Sequence, residues 1–320
     1  MRLGKLSNEQ LERLVLQKYT STRPEAFGAP RVGEDCAVLD IGGDLAVLST
    51  DPITSAAAHI GRLSVHINCN DAAAAGAEPV GLMVTLLAPP DACEEEIAAI
   101  AEEMAATAKE VGVDILGGHT EVTDSVTRYV TSTTVIARLK RSARLCGMRA
   151  GDDIVLTKWA GLEGGMVLAA DFRERLTEFS AAEFAEIEAW GAQLSVVPEG
   201  VYAAAHGASA MHDVTEGGVY GAAWEMSYAA GVGIALDEEC IPVHKLVKKL
   251  SAQLRLDPMR LLSSGCMLIA CANGEEMCKG LREQNIPAAC IGVAGGEGVR
   301  LQDGTALLPP EADELYRLFS

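Results

Sequence analysis

Apolar residues along this chain switch repeatedly between a three-to-four spacing and short unbroken runs, the pattern of helices alternating with buried strands. Ser7 and Gln10 have capping-box spacing, and Leu11, Leu14 and Val15 follow at helical intervals, which predicts a helix over about residues 7 to 18. Residues 20 to 34 lose that period, hold two prolines and two glycines, and read as a loop able to lie over a ligand. Two apolar runs, Cys36 to Leu39 and Leu45 to Leu48, flank Gly42-Gly43 and predict paired strands, the second running into Ser49-Thr50-Asp51. A helix from about Ile60 to Ala75, a strand from Val80 to Leu87 and a helix capped by Asp91 with Glu94 come next. A strand from Val113 to Leu116, stopping at Gly117-Gly118, completes the first set of elements.

The run Arg149-Ala-Gly-Asp-Asp153 interrupts the pattern, and a strand from Ile154 to Lys158 opens a second set. Helices are expected near 163 to 171, 181 to 192, 198 to 206 and 217 to 229, alternating with strands near 232 to 236, 266 to 271 and 288 to 293. A chain of 320 residues has the length of two domains, so the reading is α/β twice over, residues 1–150 and 151–320. No short-period repeat is present.

Charge narrows the partners. The balance of 45 acidic to 26 basic residues, a net charge of −19, repels nucleic acid and anionic membrane. A small anion such as ATP remains compatible if divalent cations bridge its phosphates to carboxylates. Nine cysteines without a CxxC pair fit reduced thiols, and the start of the chain lacks a signal-peptide core, so a soluble cytoplasmic protein is expected.

Three aspartates follow small or polar neighbours where strands or turns end: Asp35 after Gly33-Glu34, Asp51 after Ser49-Thr50, and Asp71 after Asn68-Cys69-Asn70. Carboxylates gathered from separate elements suit Mg²⁺, which prefers oxygen ligands and keeps waters and substrate phosphates in its shell. Singly, each is equally explained as a turn or N-cap aspartate. In Ile115-Leu-Gly-Gly-His-Thr-Glu121 two glycines could let backbone N–H groups approach a phosphate, although a strand-end turn and an ordinary histidine explain the same residues. Met211-His-Asp-Val-Thr-Glu-Gly-Gly218 leads into a helix start, where capping and anion binding are both possible. Ser263-Ser-Gly265 is a further candidate with a plain turn as its alternative.

The order of these motifs, GEDCAVL, STDP, NCNDAAAAGAEP, ILGGHTEV, DIVLTKWAGLEGG, MHDVTEGGV and SSG, resembles the aminoimidazole ribonucleotide synthetase (PurM-like) superfamily over about residues 30 to 295. Within it, DIVLTKWAGLEGGMVLA and MHDVTEGGV are most similar to the hydrogenase-maturation HypE proteins. The resemblance implies a two-domain α/β fold whose N-terminal sheet forms a barrel with a dimer mate. It implies ATP held by Mg²⁺ on Asp35, Asp51 and Asp71 with Asn70 beside them, and phosphates lined by Gly117, Gly118, His119, Thr120 and Glu121. Asp213 and Thr215 would face the acceptor, and with His119 they are the implied catalytic residues. The implied chemistry is activation of an amide, carboxamide or phosphate oxygen by phosphoryl transfer from ATP.

Two features depart from that pattern. HypE ends in a tail with a C-terminal cysteine, whereas here the last residues are Glu314-Leu-Tyr-Arg-Leu-Phe-Ser320 and the last cysteine is Cys290, so the tail reaction is not expected. His119 stands where HypE and thiamine-monophosphate kinases carry Asp. A small-molecule kinase similar to the latter, acting on an acceptor the sequence does not name, and a non-catalytic nucleotide-binding partner protein are the alternative readings.

Overall fold

The structure, a computed structural model, describes residues 36–54, 59–309 and 312–318, with isolated positions before residue 36. The expected helix over residues 7 to 18, the loop over 20 to 34 and Asp35 lie outside this set, save for a few single positions in the first two.

The first sheet comprises β1 (Ala37–Asp40), β2 (Leu45–Ile53), β3 (Glu78–Ala88), β4 (Asp114–Val122) and β5 (Val130–Leu139), in the order β1-β2-β5-β3-β4. All its pairs are antiparallel except β3 with β4. The β1–β2 hairpin forms around Gly42-Gly43 as the sequence predicts, and β5 is a strand that the apolar runs did not announce, because threonines fill its first half. Two helices, α1 (Ile60–Ala74) and α2 (Glu94–Val111), cover one face of the sheet. There the inward residues Leu45, Val47, Leu82, Val84, Val135, Ala137 and Leu139 make a core with Val65, Cys69, Met104 and Ala108. Helix α2 starts later than expected: Cys93, not Asp91, is its N-cap, and Glu96 returns the reciprocal bond to the Cys93 N–H at 3.2 Å.

Helix α1 is buried on nearly every side, since it lies between the first sheet and the second half of the chain. Its polar residues His66, Asn68, Asn70 and Asp71 are therefore inside the molecule, where each needs a partner.

The second sheet has seven strands: β6 (Asp153–Thr157), β7 (Ala208–Val214), β8 (Ile234–Leu236), β9 (Cys266–Cys271), β10 (Ala288–Ala294), β11 (Val299–Leu301) and β12 (Ala306–Leu307). Their order is β12-β11-β8-β10-β6-β9-β7. Side chains alternate across it, so Ile154, Leu156, Leu268 and Ala270 enter one core while Val155, Met267 and Ile269 enter another. The first core is closed by α3 (Leu162–Asp171), α4 (Ala181–Glu188), α6 (Gly218–Ala230) and α7 (Lys245–Leu254), the second by α5 (Val197–Ala205) and α8 (Gly274–Glu283). Ala73 and Ala74 of α1 belong to this second core, which joins the two halves. Helices α7 and α8 were not foreseen. The expected helix over 181 to 192 ends at Glu188 and continues as a 3₁₀ turn, Ala189–Gln193, whose Trp190 is buried.

Candidate functional site

Two of the three expected metal aspartates are described, and packing of β2 on α1 ties the strand segment that carries Asp51 to the helix face that carries Asp71. Ser49 and Asp51 point to the same side of β2 by the period of the strand. Ser49 Oγ donates to Asp71 Oδ2 at 2.6 Å, and the Asp51 N–H donates to Asn68 Oδ1 at 3.0 Å. Asn68 is in turn held by its own helix through Nδ2 to Ser64 O at 3.0 Å. Spacing on α1 explains the arrangement: Ser64, Asn68 and Asp71 follow at i, i+4 and i+7 and share one helix face. Asp71 is 6% exposed, so its carboxylate is directed and shielded before any ligand arrives. Among the described residues no group of three or more His, Cys, Asp or Glu side chains forms a ready-made metal cage. Mg²⁺ does not need one, because one or two carboxylates plus substrate phosphates and water complete its shell.

Asn70 is not beside these carboxylates. Its Nδ2 donates to Leu194 O at 2.8 Å and its Oδ1 accepts the Val196 N–H at 2.9 Å, both in the second half of the chain. One residue before Asp71 is a turn of about 100° around the helix, which aims Asn70 at the inter-sheet contact instead of at a ligand. Lys158 completes that contact from the other side: its Nζ reaches Gln193 O, Ser195 O and Gly265 O at 2.7–2.9 Å and pairs with buried Glu199 at 2.6 Å. His66, on the same flank of α1, is pushed down to about 4 by burial and by the cations Arg62 and Lys158, and among the described residues neither ring nitrogen has a hydrogen-bond partner.

The Gly117-Gly118 segment differs from expectation. Strand β4 does not stop there but runs on to Val122, with a bulge at Leu116. Gly118 has φ +150°, and a Cβ there would lie 1.7 Å from Val84 O, so glycine is required for β3 and β4 to pair at all. His119, Thr120 and Glu121 lie exposed on this edge strand, with His119 Nε2 3.2 Å from Glu121 Oε2. In register, Gly118 sits opposite Val84, Val84 opposite Thr133, and Thr133 opposite Asp51. Three strand spacings therefore separate Gly118 from Asp51, roughly 14 Å. Within one chain Gly118 and Asp51 do not converge.

In the second half, Asp213 is buried at the end of β7, on which α1 packs, and Thr215 follows in the turn that leads to α6. Gly218 at the start of that helix has φ +63° and a Cβ there would meet Met259 O at 2.4 Å. Its glycine thus serves close packing. Ser263 is a structural turn residue, accepting the Gly161 N–H and donating to Leu261 O, both at 2.6 Å. Two acids that the motifs did not single out adjoin this place. Glu163, at the start of α3, is pushed up to about 7 by burial, with the charges of Asp313 and Glu216 adding to the effect. Asp313 is pushed up to about 6, again chiefly by burial. An acid between glycines opening a helix (GLEGG) was the available signal for Glu163. Asp313 gave none.

An open cavity of about 850 Å³ lies near the start of α1, lined by His59, Asp91, Glu96, Glu103, Arg128 and Tyr129 among others, and includes none of the expected site residues.

Two family models match in tandem: AIR synthase related protein, N-terminal domain, over residues 33–139, and AIR synthase related protein, C-terminal domain, over residues 149–304. The chain belongs to the AIR synthase related family. This AIR synthase related chain is 32% identical over 257 residues to carbamoyl dehydratase HypE of Cupriavidus necator, covering 76% of this chain and 70% of that one. Its fold matches HypE in complex with ATP at a TM-score of 0.72 and 22% identity, covering 97% and 96% of the two chains. It also matches ThiL complexed with AMPPCP and TMP at a TM-score of 0.78 and 17% identity, covering 98% of each. No helix among the described residues is long and apolar enough to cross a membrane.

Proposed function

We propose that this AIR synthase related chain is an ATP-dependent enzyme, similar to the carbamoyl dehydratase HypE, that activates an oxygen of an amide, carboxamide or phosphate acceptor by phosphoryl transfer. The observation that carries the reading is the pair Asp51 and Asp71, set by Ser49 and Asn68 on a face shared by β2 and α1. Mg²⁺ fits this oxygen-donor pair, and when bound there it would neutralise charge on the ATP phosphates. Phosphoryl transfer asks a protein mainly for positioning and electrostatics, which Ser49 supplies by fixing one Asp71 oxygen and Asn68 by fixing the Asp51 backbone. Asp213 and Thr215, across the contact of α1 with β7, face the acceptor in this reading.

A homodimer is part of the proposal. Among the described residues no layer covers the sheet face opposite α1 and α2, and Val80, Met83, Ile115, Leu116 and Val122 are exposed large apolar residues on β3 and β4. A one-layer sheet with such an edge needs a covering surface, and a second copy supplies one of the same chemistry. Gly117, Gly118, His119, Thr120 and Glu121, too far from Asp51 in the same chain, would then line phosphates at the dimer cleft, and His119 would bring a neutral or cationic group there. Light scattering with and without Leu116→Asp tests this: the account expects a dimer that the variant turns into monomer, and a monomeric parent protein contradicts it. The enzyme reading is tested by phosphate release from ATP with carboxamide and phosphate-ester acceptors, where binding without turnover under every acceptor overturns it.

A further inference from the structure

Helix α1 carries Ser64, Asn68 and Asp71 on one side and a second polar row on the other. Arg62, His66 and Asn70 follow at i, i+4 and i+8, and His66 lies about 200° round the helix from Ser64. At one end of this row Asn70 bonds Leu194 O and the Val196 N–H. At the other, Arg62 lies against the 3₁₀ turn Ala189–Gln193, so closely that a Cβ on Gly191 would sit 2.6 Å from Arg62 Nη1. His66, between them, faces the same segment of the second half.

The row is short of partners. His66 is 4% exposed, and among the described residues neither ring nitrogen is hydrogen-bonded. Burial and the neighbouring cations keep the ring neutral, so one nitrogen is an unmet donor and the other an unmet acceptor. Arg62 Nε is also buried without a partner, and among the described residues no carboxylate pairs with its guanidinium. Acids outnumber bases 45 to 26, so a scarcity of carboxylates does not explain this. Glu103 of α2, packed on Gly61, pairs with His59 instead. Arg62 stands moreover in the first turn of α1, where the helix dipole disfavours a cation and no acidic residue offsets it. Lys158, the other cation of this seam, is by contrast saturated by three carbonyls and Glu199. A third unmet donor, Trp159 Nε1, belongs to the same seam, its ring edge-on to that of Trp190, the neighbour of Gly191, at 5.5 Å.

A guanidinium without a counter-ion and a buried imidazole with an unused N–H, one helical turn apart, make a donor set for an oxyanion. We propose that the Arg62–His66 face of α1 binds a phosphate-type oxyanion at its seam with residues 189–194, on the opposite side of the helix from Asn68 and Asp71. Half-buried Arg62 is the end open to entry, and His66 is the inner end. Free phosphate and the phosphoryl group of a larger molecule share this chemistry. The site uses none of the residues assigned to ATP, so it goes beyond the proposed function and is tested apart from it.

Inorganic phosphate and methyl phosphate are the probes, titrated into the full chain by calorimetry with hydrogen exchange followed in parallel. Binding should persist with the Mg²⁺ complex of a non-hydrolysable ATP analogue already present, and should slow exchange in residues 189–196 and at the start of α1. The tighter probe assigns the source: inorganic phosphate marks a site for the free ion, methyl phosphate one for the end of a larger ligand. Arg62→Gln should weaken the tighter probe at least tenfold, the loss of a charge-assisted hydrogen bond. His66→Phe keeps a ring and removes the unmet nitrogens, so it should weaken the same probe while melting no lower than the parent protein. Affinity for the Mg²⁺-bound analogue should be unchanged in both variants. No binding of either probe, binding that both variants leave intact, or displacement by the ATP analogue would overturn the proposal and leave these nitrogens to ordered water. Phosphate binding without any Mg-ATP binding would instead count against the proposed function alone.

Discussion

Ser49 Oγ donates to Asp71 Oδ2 across 2.6 Å, a bond between the first residue of STDP, inside β2, and the last residue of NCND, on α1. It joins two sequence motifs 22 residues apart on one side of the proposed site. Ser49→Ala removes a hydrogen bond to a carboxylate, worth about 1.5 kcal/mol. The expected result is a rise of about tenfold in the Mg-ATP dissociation constant with the fold retained, measured by calorimetry and circular dichroism.

Asn70→Ala separates the structural account from the ligand account. Loss of Asn70 leaves Leu194 O and Val196 N–H unpaired in a buried contact, which costs about 2–3 kcal/mol. Urea unfolding should show that loss, while Mg-ATP affinity of the folded fraction should change less than in Ser49→Ala. Equal stability with lost ATP affinity would return Asn70 to the ligand.

Glu163 gives a pH signature. Its folded pKa of about 7 lies above the ordinary 4.5, so the folded state holds the proton more tightly and stability falls as pH rises from about 4.5 to 7. The loss is about 3 kcal/mol at most. Glu163→Gln should remove this slope and melt above the parent protein at pH 8, with little difference at pH 4.5. A parent protein whose stability does not fall across that window contradicts the buried-acid reading.

His66 has the opposite sign. Its folded pKa of about 4 lies below 6.5, so the unfolded chain takes up the proton first and stability falls as pH drops from 6.5 towards 4. His66→Gln should flatten that acid limb in thermal melts, and an unchanged limb would place the acid sensitivity elsewhere.

Much of this was legible in the sequence because strand and helix periods survive burial. The β1–β2 hairpin, α1, β6, α3, α5, α6 and β9 follow directly from apolar spacing and caps. Strand β5 did not, since Thr131, Ser132, Thr133 and Thr134 carry no apolar alternation although Thr131 and Thr133 are fully buried. Gly117-Gly118 looked like a strand end because glycine most often breaks pairing, yet here only glycine permits it. At the proposed site, residue type singled out Asp51 and Asp71 as candidates. The direction of Asn70 depends on how α1 is wedged between two sheets, and the placing of Asp313 on α6 depends on a contact 96 residues away in the chain, which no local pattern encodes.

The most direct measurement is an ATP titration of the purified protein by calorimetry, with and without Mg²⁺ and with Asp71→Asn as the control, while phosphate release is followed in the same samples. The account predicts binding that requires Mg²⁺, is weakened at least tenfold by Asp71→Asn, and is accompanied by turnover when an acceptor is supplied. Binding that ignores both Mg²⁺ and Asp71, or no binding at all, would contradict it.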